Sequence, residues 1–336
     1  MSAFIVRRIL LSLLALLLVT VVTFTLTRSV PGDPINAVVS DRIDDPAVIE
    51  NYRRKFGLDK PLPMQYLYYM RNLARGDMGL SISTSQPVAK DLRRHLPATL
   101  ELSGAAIIFA ILTGLPLGTL AALNYNKAPD ALARGVALFG ASVPVFYLAL
   151  LFIYIFSVRL GWFPTGGRLD AGVDPPPFKT GMYTVDALLA GDFALFRQAL
   201  HHLVMPAVVL GAFSMGIVSR MVRSSLLEVM GQDYIRTARA KGLAESKVVS
   251  VHAMRNAIIP AITVIGLLIG SLLAGAVLTE TTFAWPGLGR YAVTAATKLD
   301  FPAVIGVTLV SATIYIVVNL VVDILYSVID PRIRQT

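Results

Sequence analysis

The residues best able to do chemistry in this chain are charged ones at the ends of apolar runs. The densest group is Asp233-Tyr-Ile-Arg-Thr-Ala-Arg-Ala-Lys-Gly242. Arg236, Arg239 and Lys241 offer fixed positive charge, Asp233 can cap a helix start and Gly242 can stop one. That is the chemistry of recognition, not of bond making. Ile235, Ala238 and Leu243 fall along one side at helical spacing, so the segment reads as a short helix with one apolar face. A second short helix is predicted over 245–253, with Val248, Val249 and Val251 among Lys247 and His252. Two short helices lying across a membrane face would make a projection that the groove of a soluble partner can grip. The same basic residues also fit a plainer role in setting topology or meeting anionic lipid, and composition leaves both readings open.

Other candidate groups are sparse. The chain has no cysteine, which excludes disulfides, thiolate metal sites and thiol nucleophiles. It has no Gly-x-x-x-x-Gly-Lys-[Ser/Thr] phosphate loop, no His-Glu-x-x-His and no Gly-x-Ser-x-Gly, so it is not expected to be an enzyme. His201 and His202 are adjacent, cannot share one helix face and have no further ligand beside them, which points to interface residues and no metal. Glu101, Glu280, and Asn319 with Asp323 lie near the ends of apolar runs. A carboxylate at the centre of a bilayer costs at least about 2.5 kcal/mol, and near an interface less. Structural roles are therefore expected, with Glu280 a possible external gate.

The elements that must position these residues are membrane spans. Of 336 residues, 55% are hydrophobic and 15% charged, too apolar for a soluble domain of this length. Six runs are long enough to cross a hydrocarbon core: 9–27, 102–123, 135–158, 203–219, 257–279 and 303–322. None holds an internal Lys, Arg, Asp or Glu. The first follows Arg7 and Arg8 but is too long for a signal peptide and lacks a cleavage site, so it reads as a retained anchor. Lys and Arg at the span ends place both termini and the 223–256 loop in the cytoplasm.

Between the first two spans, Asp45, Pro46 and Gly57 mark one short helix. Leu62, Tyr66, Tyr69 and Leu73 share a face of a second, and Pro87 opens a third with Val88, Leu92 and Leu96 aligned. These faces need a surface: the membrane, the chain's own spans or a soluble protein. A second external loop holds Pro164-Thr-Gly-Gly, Pro175-Pro-Pro177 and a short helix after Thr184. Trp162, Phe163, Phe283 and Trp285 are expected in aromatic belts at the water interface. Gly114 with Gly118, and Gly266 with Gly270, place small residues one turn apart for close helix packing.

The 233–242 segment resembles the Glu-Ala-Ala-x-x-x-Gly segment of ABC importer permeases. Here Ala238 and Gly242 match, and Arg236 and Thr237 stand in the first two places, with Arg236 where the family has glutamate. The flank from Asp233 and Tyr234 to Leu243 resembles the dipeptide and oligopeptide branch. So do Val30-Pro-Gly-Asp-Pro34, Phe56-Gly-Leu-Asp-Lys-Pro61 with Gln65-Tyr66, Gly76-Asp-Met-Gly-Leu-Ser81, and Leu278-Thr-Glu-Thr-Thr-Phe-Ala-Trp-Pro-Gly-Leu-Gly289. Arg255 occupies the place where many members carry a proline after the coupling helix.

The resemblance implies an all-α permease with six transmembrane helices and the type I ABC importer fold, in a bacterial inner membrane. The expected division is 1–28 as the first span, 29–100 as a periplasmic helical region, and 101–336 as a core of five spans containing the coupling loop. Asp233, Tyr234, Arg236, Thr237, Ala238, Arg239, Ala240, Lys241 and Gly242 are the expected ATPase-coupling residues. Expected partners are a second homologous permease, two ABC ATPase subunits that hold ATP and magnesium, a periplasmic substrate-binding protein and membrane lipid, but not nucleic acid. This chain itself would carry no cofactor. The expected cargo is a dipeptide or short oligopeptide; nickel chelates, opines and glutathione are alternatives within the class. An ion-driven carrier or channel would need carboxylates or broken helices at mid-bilayer. An intramembrane enzyme would need a nucleophile and base at one depth.

Overall fold

A computed structural model describes residues 2–29 and 60–329, all of whose regular elements are helices. The helix expected around Asp45 lies outside the described residues. So does the side chain of Asp323.

The first apolar run forms α1 (Ser2–Ser29). Helix α2 (Leu62–Leu73) starts after Pro61 and lays Tyr66 and Tyr69 on Phe24 of α1, with ring centroids 5.4 and 5.8 Å away. The Tyr66 and Thr20 hydroxyls are 2.7 Å apart. This face of α2 therefore packs on the chain's own first span, while Leu62 is exposed.

Two sequence expectations about helix ends are corrected here. Pro87 opens a helix as expected, but not a separate one: α3 (Val88–Leu123) runs unbroken for 36 residues from there through the second span. Nor is 245–253 a free-standing helix. Its first turn, α9 (Glu245–Lys247), passes through a wider π-type stretch, Val248–Ala253, directly into α10 (Met254–Gly275). In both cases the backbone stays helical into the next apolar run, past Pro97, which has no N–H to give, in the first and through the wider π-type turn in the second.

The third apolar run is also not one straight span. It divides into α4 (Ala128–Ser142) and α5 (Val145–Phe152, continued by a π-type stretch Ile153–Arg159), with 106° between the two halves. Pro144 has no N–H to give the helix, and it pushes Val143 to the extended values φ −77°, ψ 129°. The described residues thus contain five long apolar helices and one bent pair that is together long and apolar enough for a sixth span.

Helix α6 (Tyr183–Ala190) is the short helix expected near Thr184, and it leads into α7 (Phe193–Met230), the hub. In the most apolar stretch of α7, 78% of residues are buried, against 17% for α1 and for α13 (Phe301–Ile329). Small residues let the hub sit close to its neighbours. A Cβ on Gly118 of α3 would come within 2.8 Å of Val222, and one on Gly140 of α4 would lie 2.8 Å from the Ala212 carbonyl oxygen. Gly266 and Gly270 of α10 face Val322 and Tyr315 of α13 in the same way. The bare flanks of α1 and α13 carry exposed leucine and valine, surfaces suited to lipid or another membrane subunit.

Three short helices complete the chain: α8 (Asp233–Ala240), α11 (Val277–Thr282) and α12 (Leu288–Thr297). The first lies at one end of the bundle, the other two at the opposite end.

Candidate functional site

Helix α8 is seated by two side chains. Ile235 is fully buried and Ala238 nearly so, in a cluster with Ala122 of α3, Leu226 of α7, and Val248, Ala253 and Ala257 at the start of the next span. Leu243 is half-buried against the same cluster. All other residues of the 233–242 segment are exposed. A spacing of three residues puts both anchors on one face and turns the rest outward.

The ends of α8 are fixed by different chemistry. Asp233 was expected as its cap, but Gln232 takes that position and Asp233 is the first helical residue. Its carboxylate meets Arg236 Nη1 at 3.2 Å, an exposed pair, and still favours the helix start through the backbone dipole. Thr237 Oγ1 donates to the Asp233 carbonyl, and Asn256 Nδ2 donates to the Tyr234 hydroxyl at 2.8 Å, tying the outer face of α8 to α10. Gly242 closes the helix as expected: its φ of 75° is left-handed, and its N–H donates to Arg239 O at 2.9 Å. Arg239 forks onto Glu245 at 3.0 and 2.6 Å, and this hydrogen bond raises its pKa further. Ala238 points into the bundle and seats the helix, so the surface available to another molecule is Asp233, Tyr234, Arg236, Thr237, Arg239, Ala240, Lys241 and Gly242.

Glu280 sits at the opposite end, fully buried. Thr99 Oγ1 donates to Oε1 at 2.6 Å and the Arg290 N–H to Oε2 at 3.0 Å. Burial pushes its carboxyl above the usual range, opposed by the bonds from Thr99 and from the Arg290 and Gly289 N–H groups. A Cβ on Gly287 would overlap this carboxylate. Glu280 thus organises the turn between α11 and α12, and it borders a cavity of about 530 Å³ whose other walls include Val19, Leu273 and Tyr315.

Phe283 and Trp285 flank that turn. They were expected in an aromatic belt but are buried: Trp285 Nε1 donates to Ala98 O at 2.8 Å, and Phe283 O accepts from the Gly167 N–H at 2.9 Å. They close the turn onto α3 and the second external loop. Trp162 is exposed, as a belt residue would be, and Phe163 is half-buried beside His201. His202 meets Asp170 at 3.1 Å, and His201 reaches Trp162 O. Both histidines tie the second external loop to α7, and no group of residues suited to a metal occurs among the described residues.

Sequence reading missed the carboxylate contacts that lock this end. Asp300 accepts from both Ser81 and Ser83, Asp91 from Thr84 and Tyr291, and Asp186 from the 179–181 backbone. Glu101 pairs with Arg168 at 2.5 Å, and Arg168 lies over the rings of Tyr183 and Trp285. Ser81, Trp285 and Glu280 all belong to motif stretches of the sequence, but their partners lie far away along the chain.

The comparisons agree along the whole length. Residues 1–103 match the N-terminal membrane component of binding-protein-dependent transport systems, and residues 114–335 match the inner membrane component itself. The probable D,D-dipeptide transport system permease protein DdpB of Escherichia coli is 49% identical over 317 residues, 94% of this chain and 93% of that protein. The di/tripeptide transport system permease protein DppB of Pseudomonas aeruginosa is 47% identical over 335 residues, covering 100% and 99%. Among solved structures, the inward-facing MetNI methionine ABC transporter shares the fold, with a TM-score of 0.51 at 17% identity over 71% of this chain and 96% of that one. With five long apolar helices and a bent pair apolar enough to make a sixth span, no strand among the described residues and family models matching residues 1–103 and 114–335, the chain belongs to the inner membrane permease components of binding-protein-dependent ABC transport systems.

Proposed function

We propose that this chain is the permease subunit of an ATP-driven importer that passes dipeptides and short oligopeptides into the cytoplasm, and that α8 is the seat of its ATPase. The peptide cargo rests on the substrates that the related permeases are named for. The observation that carries the coupling role is the anatomy of α8: two buried anchors on a base shared by α7 and α10, with the remaining face bare. Force applied to that face reaches two spans at once.

In this reading ATP and magnesium stay on two partner ATPases, a second homologous permease completes the pathway, and a periplasmic binding protein delivers the cargo. The α8 end is cytoplasmic, supported by Arg236, Arg239, Lys241, Lys247 and Arg255 clustered there. Glu280, at the opposite end of the bundle, then lies on the periplasmic side, where it holds the turn between α11 and α12.

Thr237→Trp and Ala240→Trp place bulk on the exposed face without touching the anchors. Both variants are expected to insert and fold but to lose ATPase on co-purification and to lose ATP-driven uptake of dipeptide in vesicles. Wild-type ATPase association and uptake in both would overturn the coupling assignment, and uptake that survives ATP depletion would overturn the transport class.

A further inference from the structure

A second charged contact lies at the same end, and the coupling surface does not account for it. Asp130, in the first turn of α4, is completely buried. Arg223 of α7 forks onto it, Nε to Oδ1 at 2.8 Å and Nη2 to Oδ2 at 2.9 Å. The Asn126 N–H donates to Oδ2 at 3.0 Å, holding the turn in which Asn126 has a φ of 59°, and Arg134 Nε lies 3.3 Å from Oδ1. The Arg223 guanidinium also lies 5.4 Å from the Tyr125 ring centroid. One carboxylate thereby fixes the α3–α4 turn, the start of α4 and the last third of α7.

Holding α4 against α7 does not need this pair. The two helices already interlock along their length, Gly140 against the Ala212 carbonyl and Gly216 against the Ala137 carbonyl. A buried ion pair adds little net stability over apolar packing, but a two-bond fork fixes the angle and distance between the elements that carry it. Arg223 stands one turn before Leu226, which packs in the cluster that seats α8. Asp130 heads the helix that ends at the Pro144 bend. The pair therefore joins the base of α8 to the one span that is broken in the middle.

We propose that Asp130 and Arg223 are a positioning pair that makes α4 move as one body with α8, so that displacement of the coupling helix is delivered to the bend between α4 and α5. The inference rests on α8 being the ATPase seat. Loss of the pair leaves the ATPase bound and hydrolysing but disconnects hydrolysis from movement of the bent span.

The test uses the full complex in lipid vesicles. Asp130→Asn keeps the side-chain volume and removes the charge. It is expected to retain the ATPase and its hydrolysis rate while uptake per ATP falls about tenfold. Exchanging the charges, Asp130→Arg with Arg223→Asp, is expected to recover most of that loss. Unchanged uptake per ATP in Asp130→Asn would overturn the proposal, as would a charge exchange that inserts normally and recovers nothing.

A second measurement does not depend on activity or on the exchanged chain folding. The chain has no cysteine, so Leu132→Cys, at an exposed position of α4, and Gln232→Cys beside α8 can carry spin labels at unique sites. Their separation is expected to stay constant between nucleotide-free and vanadate-trapped complexes with Asp130 present, and to change between them in Asp130→Asn. The same behaviour in both backgrounds overturns the proposal. Failure of the underlying coupling assignment looks different: Thr237→Trp would then keep its ATPase.

Discussion

Thr99 on α3 donates its hydroxyl proton to the buried Glu280 carboxylate at 2.6 Å and accepts the Leu288 N–H at 2.8 Å, so one threonine joins the second span to both sides of the turn between α11 and α12. The glycines of that turn make room for the carboxylate, and the space they leave is too small for a methyl group. The two features are interdependent, and they can be tested as a pair.

Gly287→Ala is expected to destabilise the protein by about 1–3 kcal/mol through overpacking against Glu280. Glu280→Ala leaves the Thr99 hydroxyl and the Arg290 N–H without their acceptor, at a cost of about 1–3 kcal/mol. In the double variant the two losses are expected to add to less than their sum, because the second change removes the group that the first one strikes. Thermal unfolding of the four proteins in detergent measures the coupling, and strict additivity would show that the carboxylate has moved elsewhere.

The chain's two tryptophans report on opposite environments. Brominated lipid is expected to quench exposed Trp162 and to leave Trp285 bright. Trp285→Ala is expected to cost about 3–5 kcal/mol, and Trp285→Phe, which loses mainly the bond to Ala98 O, about 1 kcal/mol. Trp162→Ala is expected to change stability little. Equal quenching of both indoles would return Trp285 to the interface.

Asp186 gives the external loop a pH signature. Burial pushes its carboxyl up, but bonds from the Thr180 N–H and hydroxyl and from the Gly181 and Lys179 N–H groups more than offset this, leaving it below the usual value. A depressed carboxyl contributes stability that is present above the unfolded value of about 3.9 and is lost as pH falls through the lower folded value. Asp186→Asn is therefore expected to melt below wild type at neutral pH, and the gap is expected to narrow as the medium becomes strongly acidic. A gap that is constant with pH would mean the carboxylate is not charged in the fold.

The fork between Arg239 and Glu245 is exposed on both sides, so Arg239→Gln is expected to leave the melting temperature unchanged. Any loss of ATPase binding in this variant then reports the outward surface of α8 and not its folding. A lowered melting temperature would assign the pair a structural role.

What the sequence made legible was local. The Ile235 and Ala238 spacing, the left-handed stop at Gly242 and the apolar runs other than the third all follow from neighbours a few residues apart, and the structure places them as read. The bend at Pro144 was missed because Val143 and Val145 keep the hydropathy high across it, although proline chemistry alone could have raised the question. The continuity of α3 from Val88 past Pro97 into the second span, and of α9 into α10, was missed because a helix-opening residue says where a helix starts and not where it stops. Phe283 and Trp285 were misplaced, and the cage around Glu280 was not seen, for another reason. Their partners Thr99, Gly167 and Ala98 lie more than a hundred positions away, and an acidic or aromatic residue near a span end looks the same from the sequence whether it faces lipid or a cage.

The burial of α7 has a consequence for biosynthesis. Residues 193–230 leave the ribosome after α1 to α6, so the earlier spans enter the bilayer before the helix they pack around exists. Until then Gly118 and Gly140 offer lipid the notches that later receive the hub. Their seams are completed by a late arrival, and a chain cut short before residue 193 would hold membrane helices without a centre.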